Sequence, residues 1–563
     1  MNTPRSKSRT GWLIGAAAGI CVAASHAVAG PAAPTVGEND PWALFGSFPP
    51  GVDAAAVLNA PGQRLFQDPG GRAVRAALAR TGMFSQTVRA WTGLANALGY
   101  TEDEAATALL GRRVIVAWDR LITPAGGAAG ALATVARFDT RWAVIAEVNH
   151  DTARAIRASL KAAPRRTVGG RVIYTIDAGR IAMAVTDDAE HTRVLIAPVE
   201  AASLLDALLT ALRTPTEPAG PGLTGAAPEN PDPTPDLGAA ARSVLGEVEP
   251  GWSAVAAFRL PGSDRPTALE LRTNSGAWGL RFASDLQLTG PDDQQAGAPV
   301  GVLAAAGGDA LFAAAFSGGP ALSEGAIDLR LSARTIGSEP AEPQDTRTDP
   351  LVHDRGSVIV LHTADAGPNA DTAPHHRART AVLQVITHAA SDAPFAERID
   401  RLISTAIGGD NPPSHRGLFP DAVRSHTMPA TMMTGDPDAQ TGDGLWPGRG
   451  ARVAWSIAPD AADRAGVVSI AIGTASVDPS GLARKGREAW ERGADDFDPS
   501  VITAGRARPA ALAGLLGTDT AGPLLNLARA VDRIEWTVRR TNNLTRGEVL
   551  LRLTDPAATL GAP

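Results

Sequence analysis

The chain has 563 residues, with 52 Lys and Arg against 59 Asp and Glu, and a single Cys. That length exceeds what one hydrophobic core organises, so more than one domain is expected. The acidic balance argues against nucleic-acid binding through counterion release, and one Cys excludes both an internal disulfide and a Cys-rich metal site.

Residues 1–29 read as a secretory signal peptide. Arg5, Lys7 and Arg9 form a positive start, Gly11 to Ala24 is an uncharged, mostly apolar run, and Ala27-Val28-Ala29 supplies small residues for cleavage between Ala29 and Gly30. The run falls short of the roughly 20 apolar residues that cross a bilayer, so no membrane span is expected after cleavage. Cys21 raises a lipoprotein alternative, but Ile20 before it is bulkier than such a site takes. Cleavage would remove that Cys and leave 49 basic against 59 acidic residues, a net charge of −10. The expected location is the periplasm, the cell envelope or the exterior.

From about 41 to 290 the pattern is one α+β module, copy A. Phe48 to Asn59 reads as a turn and a short strand. Val74, Leu78, Phe84, Val88, Trp91, Leu94 and Leu98 recur near helical spacing, and Gly99 ends the stripe. Thr101-Glu-Asp-Glu104 starts the next helix with a capping residue and acids suited to its positive end. Val114-Ile-Val116, Leu132–Phe138 and Trp142–Val148 read as strands. Asp151 is expected to cap a helix that buries Ala153, Ile156 and Leu160, and Pro164 ends it. Strands follow at Arg171–Ile176, Ile181–Val185 and Val194–Ala197, then a helix at Ala201–Leu212. A proline-rich linker spans 213–238. Trp252–Leu260, Ala268–Thr273 and Ala277–Ala283 close the module, the last two as a hairpin through Asn274-Ser-Gly276. Leu269-Glu-Leu-Arg272 alternates, so one face there is expected to be wet. Because neighbouring strands are joined by hairpins, the fold class is α+β, a largely antiparallel sheet with helices packed on one face.

Residues 297–563 repeat the pattern as a degenerate copy B. Arg141 to His150 returns as Arg379 to His388. Gly51–Ala54 is echoed by Gly307–Ala310, Val114–Val116 by Val358–Val360, Arg180–Val185 by Arg452–Ile457, and Val199, Glu200 and Leu204 by Val477, Asp478 and Leu482. Five blocks in one order suggest tandem duplication. An alternating strand at Ile327–Leu331 with an acidic loop at Gly337–Pro350 replaces the early helices. A helix capped by Asp392 follows the repeated strand, and residues 408–450 form a long irregular insertion. The last strands fall near Ile534–Arg539 and Glu548–Leu553.

Chemistry leaves little trace. Seven of the ten histidines, His353, His362, His375, His376, His388, His415 and His426, fall in one window. His362, Asp365, His375 and His376 could surround a divalent ion, although loop polarity explains His375 and His376 equally and no compact ligand spacing is present. His150 and His388 share a place in the two copies, where a polar residue leads from a strand into a helix cap. Asp436 to Gly444 has the acidic look of a calcium loop but lacks its Gly and its bidentate Glu. No G-x-S-x-G elbow, P-loop or spaced triad occurs. The junction after Trp142–Val148 carries no Gly, which excludes a dinucleotide fingerprint there.

The signal peptide, the Phe48-Pro-Pro-Gly opening strand, Leu109-Leu-Gly111 before a strand, the strand–helix segment Trp142–Leu160 and the strand pair and helix at Tyr174–Leu212 together resemble exported bacterial proteins with an uncharacterised tandem α+β domain. That resemblance implies no catalytic residue, metal ligand or cofactor. The functional expectation is an exported, non-catalytic protein that binds an envelope protein or ligand or serves structurally. The alternative is a metal-dependent hydrolase working through 353–426.

Overall fold

The computed structural model describes residues 40–42, 44–45, 52–62, 85–118, 142–168, 171–187, 192–211, 237–259, 265–274, 277–285, 297–317, 356–363, 381–390, 423–428, 451–459, 465–474, 479–493, 495–515, 528–541 and 543–554. They form mainly antiparallel sheet with several helices, an α+β architecture. The chain divides into two compact units: unit 1 is Met1–Leu288 with Asn542–Pro563, and unit 2 is Thr289–Thr541.

Unit 1 contains β1 (Ala54–Asn59), β2 (Arg113–Trp118), β3 (Trp142–Val148), β4 (Arg165–Val168), β5 (Arg171–Ile176), β6 (Ile181–Asp187), β7 (Thr192–Pro198), β8 (Trp252–Phe258), β9 (Thr267–Asn274) and β10 (Ala277–Ser284). Its sheet also takes the last strand of the chain, Leu544–Leu553, numbered β19. The pairing order is β19-β10-β9-β8-β1-β2-β3-β7-β6-β5-β4, antiparallel throughout. The sequence pattern places this last strand, read near Glu548–Leu553, in the second half of the chain. Its partner is β10 of the first half, because strand periodicity carries no information about which edge a strand joins.

A single cross-strand row shows how this sheet is held. Ile173, Ala184, Leu195, Ile145, Ile115, Val57 and Val255 stand opposite one another in succession, and all belong to one core. Each large aliphatic member contributes roughly 2 kcal/mol by leaving water.

The helices of unit 1 are α1 (Ser85–Leu98), α2 (Glu102–Leu110), α3 (His150–Ser159), α4 (Ala202–Ala211) and α5 (Leu237–Leu245). The start of α5 trims the 213–238 linker at its end. Thr101 caps α2 in a reciprocal capping box with Glu104, whose carboxyl is held low by the Thr101 amide and then its hydroxyl. Asn149, not Asp151, caps α3, accepting from the Thr152 amide at 2.6 Å. Asn149 sits at the extended position a cap requires, and Asp151 is already inside the first turn.

Helices cover both faces of this sheet, not one. β7 buries Val194, Leu195, Ile196 and Ala197 in succession, and successive side chains point to opposite faces. Leu195 and Ala197 pack with Leu205 and Leu208 of α4 and Val244 of α5. Outside that core, α2 and α3 pack on β3 and β7, with Leu109 and Ile156 fully buried. Hairpin connections alone suggest a one-faced sheet, whereas near-continuous apolar runs such as Val194–Ala197 mark two buried faces.

Unit 2 contains α6 (Val300–Ala306), β11 (Phe312–Phe316), β12 (Ser357–Thr363), β13 (Ala381–Ala390), β14 (Val423–Met428), β15 (Ala451–Pro459), β16 (Ala465–Thr474), α7 (Pro479–Gly493), β17 (Val501–Ala507), α8 (Pro509–Leu515) and β18 (Val531–Thr541). Its order is β14-β15-β16-β13-β12-β11-β17-β18, again antiparallel. β14 lies within 408–450, so that stretch is not wholly irregular; Val-Arg-Ser-His-Thr-Met carries no apolar alternation that would mark it as a strand. α6 meets α7 at glycines: a Cβ on Gly493 would lie 2.3 Å from the Gly301 backbone. Val302 and Trp490 then pack together with Val358, Val360 and Ile386.

Register corrects the residue matches between the halves. The Asp53 amide donates to the Trp118 carbonyl at 3.0 Å, and the Asp53 carbonyl accepts from Arg259 at 2.8 Å. The Leu311 amide donates to the Leu361 carbonyl at 2.8 Å, and the Leu311 carbonyl accepts from Arg508 at 2.7 Å. Counting from these two brackets, Ile115 opposes Ile145 where Val358 opposes Ile386. The blocks Arg141–His150 and Arg379–His388 are therefore three residues out of step, and Val114–Val116 and Val358–Val360 are one out. Arg180–Val185 and Arg452–Ile457 are in step, since Ala184 and Ser456 occupy matching rungs. The segments Leu132–Phe138, Ile327–Leu331 and Gly337–Pro350, and the helix after Asp392, lie outside the described residues.

Candidate functional site

The most unusual chemistry among the described residues sits where a β-bulge meets a charged pair. Between β8 and β9, Trp252 faces Arg272 and Ala254 faces Leu271, so Ser253 is the extra residue. Between β17 and β18, Val501 faces Arg539 and Thr503 faces Val538, so Ile502 is extra. A bulge bends the strand and re-aims its neighbours. In each unit an acid three residues before the bulged strand meets the arginine opposite: Glu249 pairs with Arg272, and Asp498 Oδ2 lies 3.1 Å from Arg539.

Unit 1 adds a second acid and a second arginine. Glu270 continues the core row beyond Val255 and is 0% exposed. Its carboxylate lies 3.2 Å from Arg272 Nε and 2.9 Å from Arg281, and it accepts from the Glu249 amide at 3.3 Å. Arg281 stands directly across from Glu270 and also reaches Glu249 at 2.8 Å. Burial pushes the Glu270 carboxyl above the usual range, outweighing the pull of Arg281, Arg272 and the Glu249 amide. The wet face expected from Leu269-Glu-Leu-Arg272 is thus buried at Glu270, under α5. Sequence could have found the pair: the two-residue connection that sets Asn274 opposite Ala277 also sets Glu270 opposite Arg281.

Unit 2 has Thr537 on the rung where unit 1 has Glu270, facing Ala504 as Glu270 faces Val255. Asp498 is held below the ordinary Asp range, first by the Ser500 hydroxyl at 2.6 Å and against the opposing effect of burial. In both units the acids are already engaged by donors. Such an arrangement anchors the approach to a strand.

The histidines are dispersed. His150 is the first residue of α3; its Nδ1 lies 2.8 Å from the Thr192 hydroxyl, which donates to Asp187 at 3.0 Å, and Asp187 pairs with Arg157. His388 lies inside β13 opposite Val467, on the rung where unit 1 has Glu147 opposite Arg193. The two histidines are therefore not counterparts. His362 Nε2 lies 3.0 Å from the buried Gln384 amide oxygen; burial depresses the imidazole pKa, Lys485 adds to this, and the Gln384 hydrogen bond opposes it. His362 faces Val382, six residues along β13 from His388, about 20 Å in strand length. His426 is on β14, three strands from β13.

Among the described residues no group of three or more His, Cys, Asp or Glu is placed to hold a metal ion. His353, Asp365, His375, His376 and His415 lie outside the described residues, as do Cys21, Ala29, Gly30 and Asp436–Gly444. No described helix is long and apolar enough to cross a membrane. No family model, curated protein or solved structure matches the chain.

Proposed function

We propose that this is an exported, non-catalytic protein built from two degenerate copies of one α+β unit, and that it acts in the cell envelope by binding a partner or as a structural element. The observation that carries the reading is the repeated device at the bulge: an acid, three residues, an inserted residue and a facing arginine, at the same rung in both units. The strand order β8-β1-β2-β3-β7-β6-β5 and its counterpart β17-β11-β12-β13-β16-β15-β14 support the same conclusion. What recurs is framework. The recurring charges are engaged with one another, as suits a scaffold, and two similar faces on one chain raise avidity for a repetitive partner. The likeness to exported bacterial proteins with a tandem α+β domain belongs to this proposal.

The test combines fractionation and metal analysis. Envelope material should yield a chain that begins at Gly30; a cytoplasmic protein retaining Met1 overturns export. Stoichiometric metal in the purified protein, lost when His362, His375 and His376 are replaced by Ala, would move the hydrolase reading ahead.

A further inference from the structure

Two residues on from the cross-strand core row of unit 1, the same face carries a polar row. Strand alternation places Arg171, Thr186, Arg193, Glu147, Arg113 and Asn59 there, running from β5 across β6, β7, β3 and β2 to β1. Three guanidiniums share the row with one carboxylate, which leaves it at +2. The Arg113 and Glu147 side chains are 11% and 12% exposed and approach no closer than 3.9 Å. Glu147 Oε1 is buried without a hydrogen-bond donor, and Arg171 Nη1 is buried without an acceptor. Thr186, between Arg171 and Arg193, is buried as well. On α4, which packs over this face, Asp206 engages Arg166 at 3.5 Å. The row is particular to unit 1. The corresponding rung of unit 2 has Gly356, His388, Val467 and Ala458. Buried charge is costly unless it is paired, so an excess of guanidinium on a covered face calls for an anion.

We propose that this row is a binding site for a phosphate group, held between Arg171 and Arg193 over Thr186. The two arginines stand two strands apart, about 10 Å at the backbone, a gap their side chains close from both sides. The planar fork of each guanidinium matches phosphate oxygens two at a time. The Thr186 hydroxyl is a further donor between them. Glu147 faces Arg193 from β3 and so orients it from the other side. A phosphate at neutral pH carries about −1.5 to −2, which balances the row, whereas a carboxylate would leave it positive. The site lies wholly within unit 1 and does not depend on export.

The experiment titrates inorganic phosphate into the full chain by calorimetry at constant ionic strength. One phosphate per chain is expected, with acetate binding far more weakly. Arg171→Gln and Arg193→Gln should each weaken phosphate by about tenfold or more, the loss expected of a charged hydrogen bond. Arg154→Gln, at a side chain of α3 that is 80% exposed, should leave it at the parent value. Where a variant fails to fold, the unaltered chain still decides: phosphate should slow hydrogen exchange in β5–β7 and leave β8–β10 unchanged. Glycerol 3-phosphate binding as tightly as inorganic phosphate identifies a phosphate carried on a larger molecule, and binding of the inorganic ion alone identifies free phosphate. The proposal is overturned by the lack of any saturable phosphate heat, by acetate binding as tightly, or by phosphate binding that gives β5–β7 no protection. Unchanged binding in a folded Arg171→Gln variant, or an equal loss in Arg154→Gln, overturns it too.

Discussion

The two bulge clamps share a backbone and differ in their surroundings. In unit 1 the arginine reaches a carboxylate with no exposed surface, and a second arginine completes a four-charge cluster. In unit 2 the arginine meets one acid near the surface, and Thr537 fills the inner rung. The difference separates what both units have from what is particular to unit 1: the bulge and the outer pair recur, and the buried charge does not. A buried ion pair is costly to assemble and costly to break, whereas an exposed pair is worth little. The two units should therefore answer the same perturbations differently, and hydrogen exchange over β8–β10 and β17–β18 reads them separately.

The largest contrast is expected on the inner rung. Glu270→Ala should destabilise unit 1 by about 3 kcal/mol, because two guanidiniums then share Glu249 alone beside an emptied site. Thr537→Ala should cost unit 2 under about 1 kcal/mol. Equal protection losses in the two strand pairs would contradict the assignment of Glu270 as the buried centre.

Next come the arginines. Arg272→Ala should cost about 2 kcal/mol, since it removes a charged hydrogen bond from a buried carboxylate. Arg539→Ala should fall within the roughly 0–1 kcal/mol of an exposed pair. Chemical denaturation followed by exchange in each strand pair measures both, and a larger effect at Arg539 would reverse the comparison.

Much of the local structure was legible before the fold. Trp142–Val148 and Arg171–Ile176 are strands with the bounds their β-branched runs suggest, and Thr101 with Glu104 makes the cap their spacing advertises. What escaped notice depended on the third dimension. β4 is a four-residue strand rich in Arg, with no apolar alternation to announce it. The Arg141–His150 match rested on Arg, Ala, Val and His identities in an Ala-rich chain, and register shows it three residues out of step. The residues that share a rung, Glu249 with Asp498 and Arg272 with Arg539, sit in loops and strands of dissimilar sequence, so only hydrogen-bonded pairing aligns them. Glu270 looked like the wet side of an alternating strand because alternation cannot say that α5 lies over that face.

The smallest expected effect is in pH, where the units should move in opposite directions. The Glu270 pKa is raised in the folded state, so its contribution is fully present below the ordinary Glu value and is lost as pH rises through the raised value. The Asp498 pKa is lowered, so its contribution is present above the ordinary Asp value and is lost as pH falls through the depressed value. His362, also lowered, adds to the acid sensitivity of unit 2, its share fading as pH falls through its depressed value. As pH rises above the ordinary Glu value, exchange should quicken in β8–β10 while β17–β18 holds steady, and as pH falls below the ordinary Asp value it should quicken in β17–β18; parallel profiles would show that the clamps do not titrate as their surroundings dictate.

The central claim is that the two units are one design used twice, and a crystal structure with the two strand pairs superposed tests it most directly. Laying β8–β9 on β17–β18 should bring Ser253 onto Ile502, Arg272 onto Arg539 and the Glu249 carboxylate beside that of Asp498. A bulge missing from one pair, or Arg539 on the opposite face from Arg272, would contradict it.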